Sequence, residues 1–438
     1  MPLRRKVDVM LTILHHRNFS LLWVAGFISL LGDWVLYTVF PFYIAKSTGS
    51  ALATGAMAVV EVLPGLLFGS IVGVFVDRWD RKRTMIGADF LRALVLLLLF
   101  VVQSPRILWV IYVVAFAETS ISLFFGPAKV ALMRQVVNDQ DLVSANALNS
   151  ISDNVCRLVG PAIGGGIFLL LGLHSLVVID SASYILSGLL IGGIVLPILL
   201  TKQPDSTQSE ATKRPLLAFW QQWLQGFQFI HQRRWLVTLC VFMAIAMVGQ
   251  GILNALLAIF AEQVVKMNAQ VYGWFVSIQG IGGLVGGFTI GKVGKAVQPA
   301  RLLGSSIGAA GLLLLLLVNV PLIPVALVSI AIIGIFVIGW IVSLQTLLQR
   351  GVDKAYLGRV LGTYGATQTL SLLIGASGGA ILGNLLGVVP VLTAAGGLLV
   401  LAGVGSLIFL DGLEKAGGIV QSTDHRVKNI SPLLNEEE

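Results

Sequence analysis

Gly69-Ser70-Ile71-Val72-Gly73-Val74-Phe75-Val76-Asp77-Arg78-Trp79-Asp80-Arg81-Lys82-Arg83 is the stretch on which the reading of this chain turns. An apolar run carrying two glycines ends in seven residues of which six are charged. That is a helix leaving lipid, followed by a basic turn that meets water. The pattern returns in weaker form at Gly287-Phe288-Thr289-Ile290-Gly291-Lys292-Val293-Gly294-Lys295, with Gly291 where Asp77 stood. A second echo runs from Leu142 through Gly160-Pro161-Ala162-Ile163-Gly164-Gly165, matched 215 residues on by Leu357 through Gly375-Ala376-Ser377-Gly378-Gly379. Two matches at nearly one offset mark two related halves.

Composition places both halves in a membrane. The chain is 56% hydrophobic and 11% charged, which no soluble core of 438 residues absorbs. Its 49 glycines suit helices that approach closely in lipid. Crossing the hydrocarbon takes about 20 apolar residues. Such runs fall at 20–44, 52–76, 84–103, 107–127, 143–171 and 175–199 in the first half. In the second they fall at 235–261, 271–291, 302–319, 321–346, 357–386 and 388–410. The expected fold is all-α, with twelve transmembrane helices in two pseudo-symmetric six-helix bundles. Residues 1–200 form the N-terminal bundle, 201–234 a cytoplasmic linker, 235–412 the C-terminal bundle and 413–438 a cytoplasmic tail. With the N-terminus inside, 24 of the 29 Lys and Arg residues fall on cytoplasmic segments, and only Lys46, Arg106 and Lys266 on outer ones. This bias predicts a multi-pass protein with both termini in the cytoplasm. It also accounts for the formal charge of +8 without a nucleic-acid partner. In the linker, Leu216, Phe219, Trp220, Trp223, Leu224, Phe227 and Ile230 recur at helical spacing, as in an amphipathic helix lying on the membrane.

With twelve spans, two halves and a charged turn after the second span, the chain resembles the major facilitator superfamily. Gly73-x-x-x-Asp77-Arg78-x-Asp80-Arg81-Lys82 is similar to that family's signature between its second and third helices, with Asp80 in place of the usual second glycine. Four further segments resemble the drug:proton antiporter branch, which includes macrolide-efflux and enterobactin-exporter proteins. They are Leu31-Gly32-Asp33-Trp34, Pro127-Ala128-Lys129, Ser144-Ala145-Asn146-Ala147-Leu148-Asn149, and Arg157-x-x-Gly160-Pro161-x-x-Gly164-Gly165. The resemblance implies a cytoplasmic latch built on Gly73, Asp77, Arg78, Asp80 and Arg81. It also implies an antiporter hinge at Arg157, Gly160, Pro161, Gly164 and Gly165. It points to the bacterial inner membrane and a chain that works as a monomer. One departure stands out: many antiporters of the branch carry an arginine in the fourth helix, whereas here that span reads Val114-Ala115-Phe116-Ala117-Glu118-Thr119.

Charges inside spans are costly and mark function. Asp89 with Arg92, three apart, and Asp153 with Arg157, four apart, share helical faces and read as structural ion pairs. Asp33, Glu118, Glu61 and Asp180 have no such local cation. Proton coupling requires carboxyls that take up and release a proton, and burial away from cations favours the neutral form. These four are therefore the coupling candidates. Asp33 and Glu118 lie mid-span, Glu61 precedes Pro64 by one helical turn, and Asp180 lies nearer the outer end of its span. In the second half Gln250, Asn254, Gln279, Gln345 and Gln368 offer uncharged polar groups beside Phe336, Trp340 and Tyr364, a set suited to a cavity for bulky organic molecules.

These features predict a secondary active transporter: proton-coupled efflux of a hydrophobic or amphiphilic small molecule by alternating access. A siderophore or lysolipid carrier on the same fold is the alternative. An intramembrane enzyme lacks its constellation, since His15, His16, His174, His231 and His425 precede spans or fall in loops and the tail. A transporter-like sensor would carry a long signalling tail. Cys156 and Cys240 fall in spans at a spacing that suits neither a disulfide framework nor a metal. No cofactor or metal is expected; the partners are the bilayer, a small-molecule substrate and the proton.

Overall fold

The computed structural model describes residues 13–102, 107–195, 227–293 and 297–415. Among them run α1 (Arg17–Thr48), α2 (Ala51–Arg78), α3 (Arg81–Leu97) and α4 (Trp109–Val136). The run Leu142–Gly192 divides into α5 (142–171) and α6 (173–192). Then come α7 (Arg234–Ile259), α8 (Ala269–Val293), α9 (Pro299–Asn319), α10 (Ile323–Gly351), α11 (Lys354–Leu386) and α12 (Val388–Lys415). Among the described residues eleven continuous stretches are long and apolar enough to span a membrane, and the longest, Asp139–Gly192, holds 54 residues. As one helix it would extend about 80 Å, against a hydrocarbon core of about 30 Å. It breaks at Gly172, whose φ of 76° and ψ of −178° only glycine adopts readily, and so supplies two crossings. The repeat is visible here: Gly387, 215 residues on, divides α11 from α12 at φ 92°.

Several helices overrun the apolar runs. α4 continues to Val136 and α10 to Gly351, past the expected ends at 127 and 346. The backbone stays helical where the side chains turn polar, so Lys129 and Arg134, expected in a cytoplasmic segment, stand on α4. α6 stops at Gly192 rather than 199. Of the linker helix, residues 227–231 are helical, and Leu216 to Leu224 lie outside the described residues, as do residues 1–12 and the tail beyond Lys415.

The chain groups into two compact units. The first comprises Met1–Leu216 with Ala255–Gly280, the second Leu217–Asn254 with Ile281–Glu438. Lipid gives helices no hydrophobic reason to associate, so close contact through small residues holds each unit together. In the second unit α9 lies against α12 with Gly304 facing Gly403, and Gly311 facing Val400. Arg301 and Asp411 add an ion pair at 3.3 Å between the same helices.

In the first unit the Gly160–Gly165 motif faces two ways. Gly160 and Gly164 press on Trp34 and Val35 of α1, while Gly165 meets Ala269 and Gln270 at the start of α8. Pro161 carries no amide proton, and the next amide, Ala162 N–H, donates to Ser277 Oγ at 3.1 Å. A side chain at 164 has no room, because its Cβ would stand 2.9 Å from the Val35 carbonyl oxygen. Gly164→Leu is expected to cost about 1–3 kcal/mol. It should lower the thermal midpoint of the purified protein well below that of Gly166→Leu, whose Cβ meets nothing within 4 Å. Equal midpoints would show that the α1–α5 contact is not needed.

A charged cavity in the first unit

The site is set by helical spacing on α1. Ser29, Asp33 and Tyr37 fall four apart and so form one polar stripe. α3 brings Asp89 and Arg92 to that stripe, α4 brings Glu118, and α6 brings Tyr184. Arg92 is the centre. Its side chain is 1% exposed, and it pairs with Asp33, with Glu118 at 3.6 Å and with Asp89 at 3.9 Å. Its guanidinium also donates to Ser29 Oγ at 3.1 Å and Tyr184 OH at 2.7 Å, and lies 4.1 Å from the Tyr184 ring centre.

Tyr184 OH lies 2.6 Å from Asp33 Oδ1 and 2.5 Å from Glu118 Oε1. A phenol has one proton to donate. It can serve one carboxylate; the second short contact is a hydrogen bond only when the other carboxyl brings its own proton and donates to the phenol oxygen. The phenol can therefore serve one of the two carboxyls, Asp33 or Glu118, at a time. The two are unequal in access: Asp33 is 30% exposed and Glu118 10%.

Asp33 opens onto a cavity of about 450 Å³. Trp34, Tyr37 and Phe40 form aromatic wall, and Glu61 and Glu118 bring further carboxyls to the same space. Among the described residues no cation lies within 4 Å of Glu61. Arg157 stands over the Trp34 ring at 5.8 Å, which ties the glycine motif to the cavity wall.

The arrangement corrects the local reading of the charges. Asp33 and Glu118 are not without a cation, since Arg92 reaches both from another helix. Asp89 and Arg92 form not a separate pair but one edge of a larger cluster. Asp153 and Arg157 make no ion pair among the described residues; Asp153 is exposed, and Arg157 faces Trp34. Asp180 is 3% exposed and packs on Gly32, with its Oδ1 accepting from Ser183 Oγ at 3.0 Å. Beside Glu118, in the apolar part of the fourth helix, the cation is Arg92 of α3 at 3.6 Å.

The charged turn is partly structural. Asp80 caps α3, its Oδ1 accepting the Arg83 amide at 2.7 Å. Lys82 Nζ donates to the carbonyls of Gly192 and Ile194 at 2.8 Å, closing the end of α6. The surroundings of Gly73 and the side chain of Asp77 lie outside what is described, Arg78 is exposed, and Arg81 begins α3. In the second unit Gln250 donates to Asn254 at 2.9 Å, and Gln368 bonds Tyr364. Trp340 is buried, Phe336 half-buried and Gln345 exposed; Gln279 is half-buried on α8. None of these eight lines the cavity around Asp33. Sequence reasoning passes over Tyr184 because it is uncharged, although its spacing of four from Asp180 puts both on one face of α6.

A membrane protein of two repeated six-helix halves, with a charged cluster buried among the helices of the first, is a transporter architecture. Residues 22–376 match the sequence profile of the Major Facilitator Superfamily, and the chain belongs to that family of transporters. It is 27% identical over 413 residues to an uncharacterized MFS-type transporter, YfiS, of Bacillus subtilis strain 168, covering 87% of this chain and 90% of the relative. It is 24% identical over 378 residues to macrolide efflux protein A of Streptococcus pyogenes, covering 85% and 90%. Among solved structures, the nucleoside transporter NupG superposes with a TM-score of 0.72 at 13% identity, covering 89% of this chain and 98% of that one.

Proposed function

We propose that this transporter exports an amphiphilic small molecule that carries a positive charge, in exchange for protons. One observation carries the reading: the cavity of about 450 Å³ sets Asp33, Glu61 and Glu118 among Trp34, Tyr37 and Phe40. Carboxyls attract the cationic end of a ligand, and aromatic faces hold both its charge and its apolar body. The cation and the exchangeable proton then compete for one cluster. Substrate arriving from the cytoplasm displaces the proton, and a proton arriving from outside displaces the substrate. Such competition yields obligatory exchange when the two halves alternate in access. The Asp77–Arg81 turn acts as the inner latch in this reading, with the cytoplasmic termini and the bacterial inner membrane as its setting. The macrolide-efflux relative agrees with export.

Inverted membrane vesicles with an acidic interior test the proposal. A fluorescent cationic amphiphile should accumulate inside, a neutral isostere should accumulate less, and a protonophore should release both. Accumulation that ignores the pH gradient would overturn proton exchange. Preferred uptake of an anionic siderophore or lysophospholipid would favour that alternative carrier.

A further inference from the structure

A second cavity, of about 570 Å³, lies in the same unit at the opposite end of α1 from the charged turn. It is formed where α1 ends, where α5 breaks into α6 at Gly172, and in the segment between α7 and α8. Its chemistry is the reverse of the first. Lys46, Lys266 and His174 line it beside Glu262, with Phe42 and Phe168 as apolar wall. Among the described residues neither lysine makes an ion pair or a side-chain hydrogen bond.

Two observations set these lysines apart from ordinary surface charge. The charge bias that orients the helices leaves three Lys or Arg residues on the outer segments, and two of the three meet in this cavity. Topology disfavours cations there, so topology does not explain them. Lys266 is also the one non-glycine residue with positive φ among the described residues, at 60°. In the first half the residue that closes α1 is Gly49 at φ 63°, the residue type that adopts this conformation without strain. Lys266 adopts it with a side chain, and strained backbone of this kind gathers at ligand sites.

We infer that this cavity binds an amphiphilic phosphate anion, its charge held between Lys46 and Lys266 and its apolar body against Phe42 and Phe168. A phospholipid headgroup and a free organic phosphate share that chemistry. The inference does not depend on proton exchange, because it concerns equilibrium binding with no gradient present.

The test uses the full chain in phosphatidylcholine nanodiscs and 1-naphthyl phosphate as probe, with binding read by fluorescence. The wild type should bind it in preference to 1-naphthol and 1-naphthylmethylammonium. The double variant Lys46→Gln/Lys266→Gln should weaken phosphate binding by about tenfold, each single variant less, and Lys292→Gln, exposed on α8, not at all. Both cavity lysines are exposed, so the variants should elute from size exclusion as the wild type does. A second set of nanodiscs containing phosphatidylglycerol separates the sources. If headgroups occupy the cavity, the lipid narrows the gap between wild type and double variant; if free organic phosphate does, the gap persists. Equal phosphate affinity in wild type and double variant, or ammonium binding as tight as phosphate, would overturn the assignment.

Discussion

Asp33→Asn is expected to abolish uphill export driven by a pH gradient, to below about a tenth of the wild-type rate, while the protein stays folded and inserted. The amide keeps an oxygen that accepts from Arg92 and from Tyr184, so the hydrogen-bond pattern around Tyr184 survives in part. What disappears is the most exposed carboxyl of the cluster. Asp33 is three times as exposed as Glu118, and both face the cavity. Because the two carboxyls share one phenol, replacing either one changes the hydrogen bonding of the other. Substrate-for-substrate counterflow needs no proton movement and should persist in the variant at a reduced rate, because Glu61 and Glu118 still face the cavity. Proteoliposomes report both activities in one preparation. Quenching of Trp34 fluorescence on substrate addition checks that binding survives. If Asp33→Asn still exports uphill at the wild-type rate, Asp33 is not the coupling group, and Glu118 or Glu61 takes its place. If counterflow is lost as well, the loss of uphill export follows from lost substrate binding and not from lost coupling.

The helices are legible in the sequence because the membrane imposes one strong rule. A span is a run of apolar residues, and the break at Gly172 stands out in a run too long for one crossing. The glycine motif is legible for a related reason: Gly160 and Gly164, four apart, make one smooth helix face. The partners of the charges are not. Arg92 lies three residues from Asp89, and sequence spacing shows only that neighbour. Its stronger contacts come from α1, α4 and α6, which meet it through packing that no local pattern encodes. Tyr184 has no charge to mark it, yet it joins the two carboxyls. The turn at Asp80 shows the opposite limit. A dense charge run reads as one device, whereas Asp80 and Lys82 each satisfy backbone groups at a helix end.

Removing the cation tests whether the cluster is one unit. Arg92→Gln leaves Asp33, Asp89 and Glu118 around a neutral amide, in a place where Arg92 itself is 1% exposed. Breaking a buried ion pair from one side costs about 3–5 kcal/mol, because the remaining charges stay buried without compensation. The variant should therefore express poorly and unfold well below the wild type in detergent. Arg92→Lys should fall between them. One guanidinium nitrogen serves Ser29 and Asp89 while the other serves Asp33, Tyr184 and Glu118, and a single ammonium cannot span both sets. The double variant Arg92→Gln/Asp33→Asn removes one of the uncompensated carboxylates. It should recover part of the lost stability without recovering uphill transport, so stability and transport separate in one double-mutant cycle. Thermal midpoints of the four proteins, measured beside proteoliposome export, give the result. An Arg92→Gln protein as stable as wild type would mean that water already screens the three carboxyls, and that the cluster is an open polar patch instead of a closed exchange site.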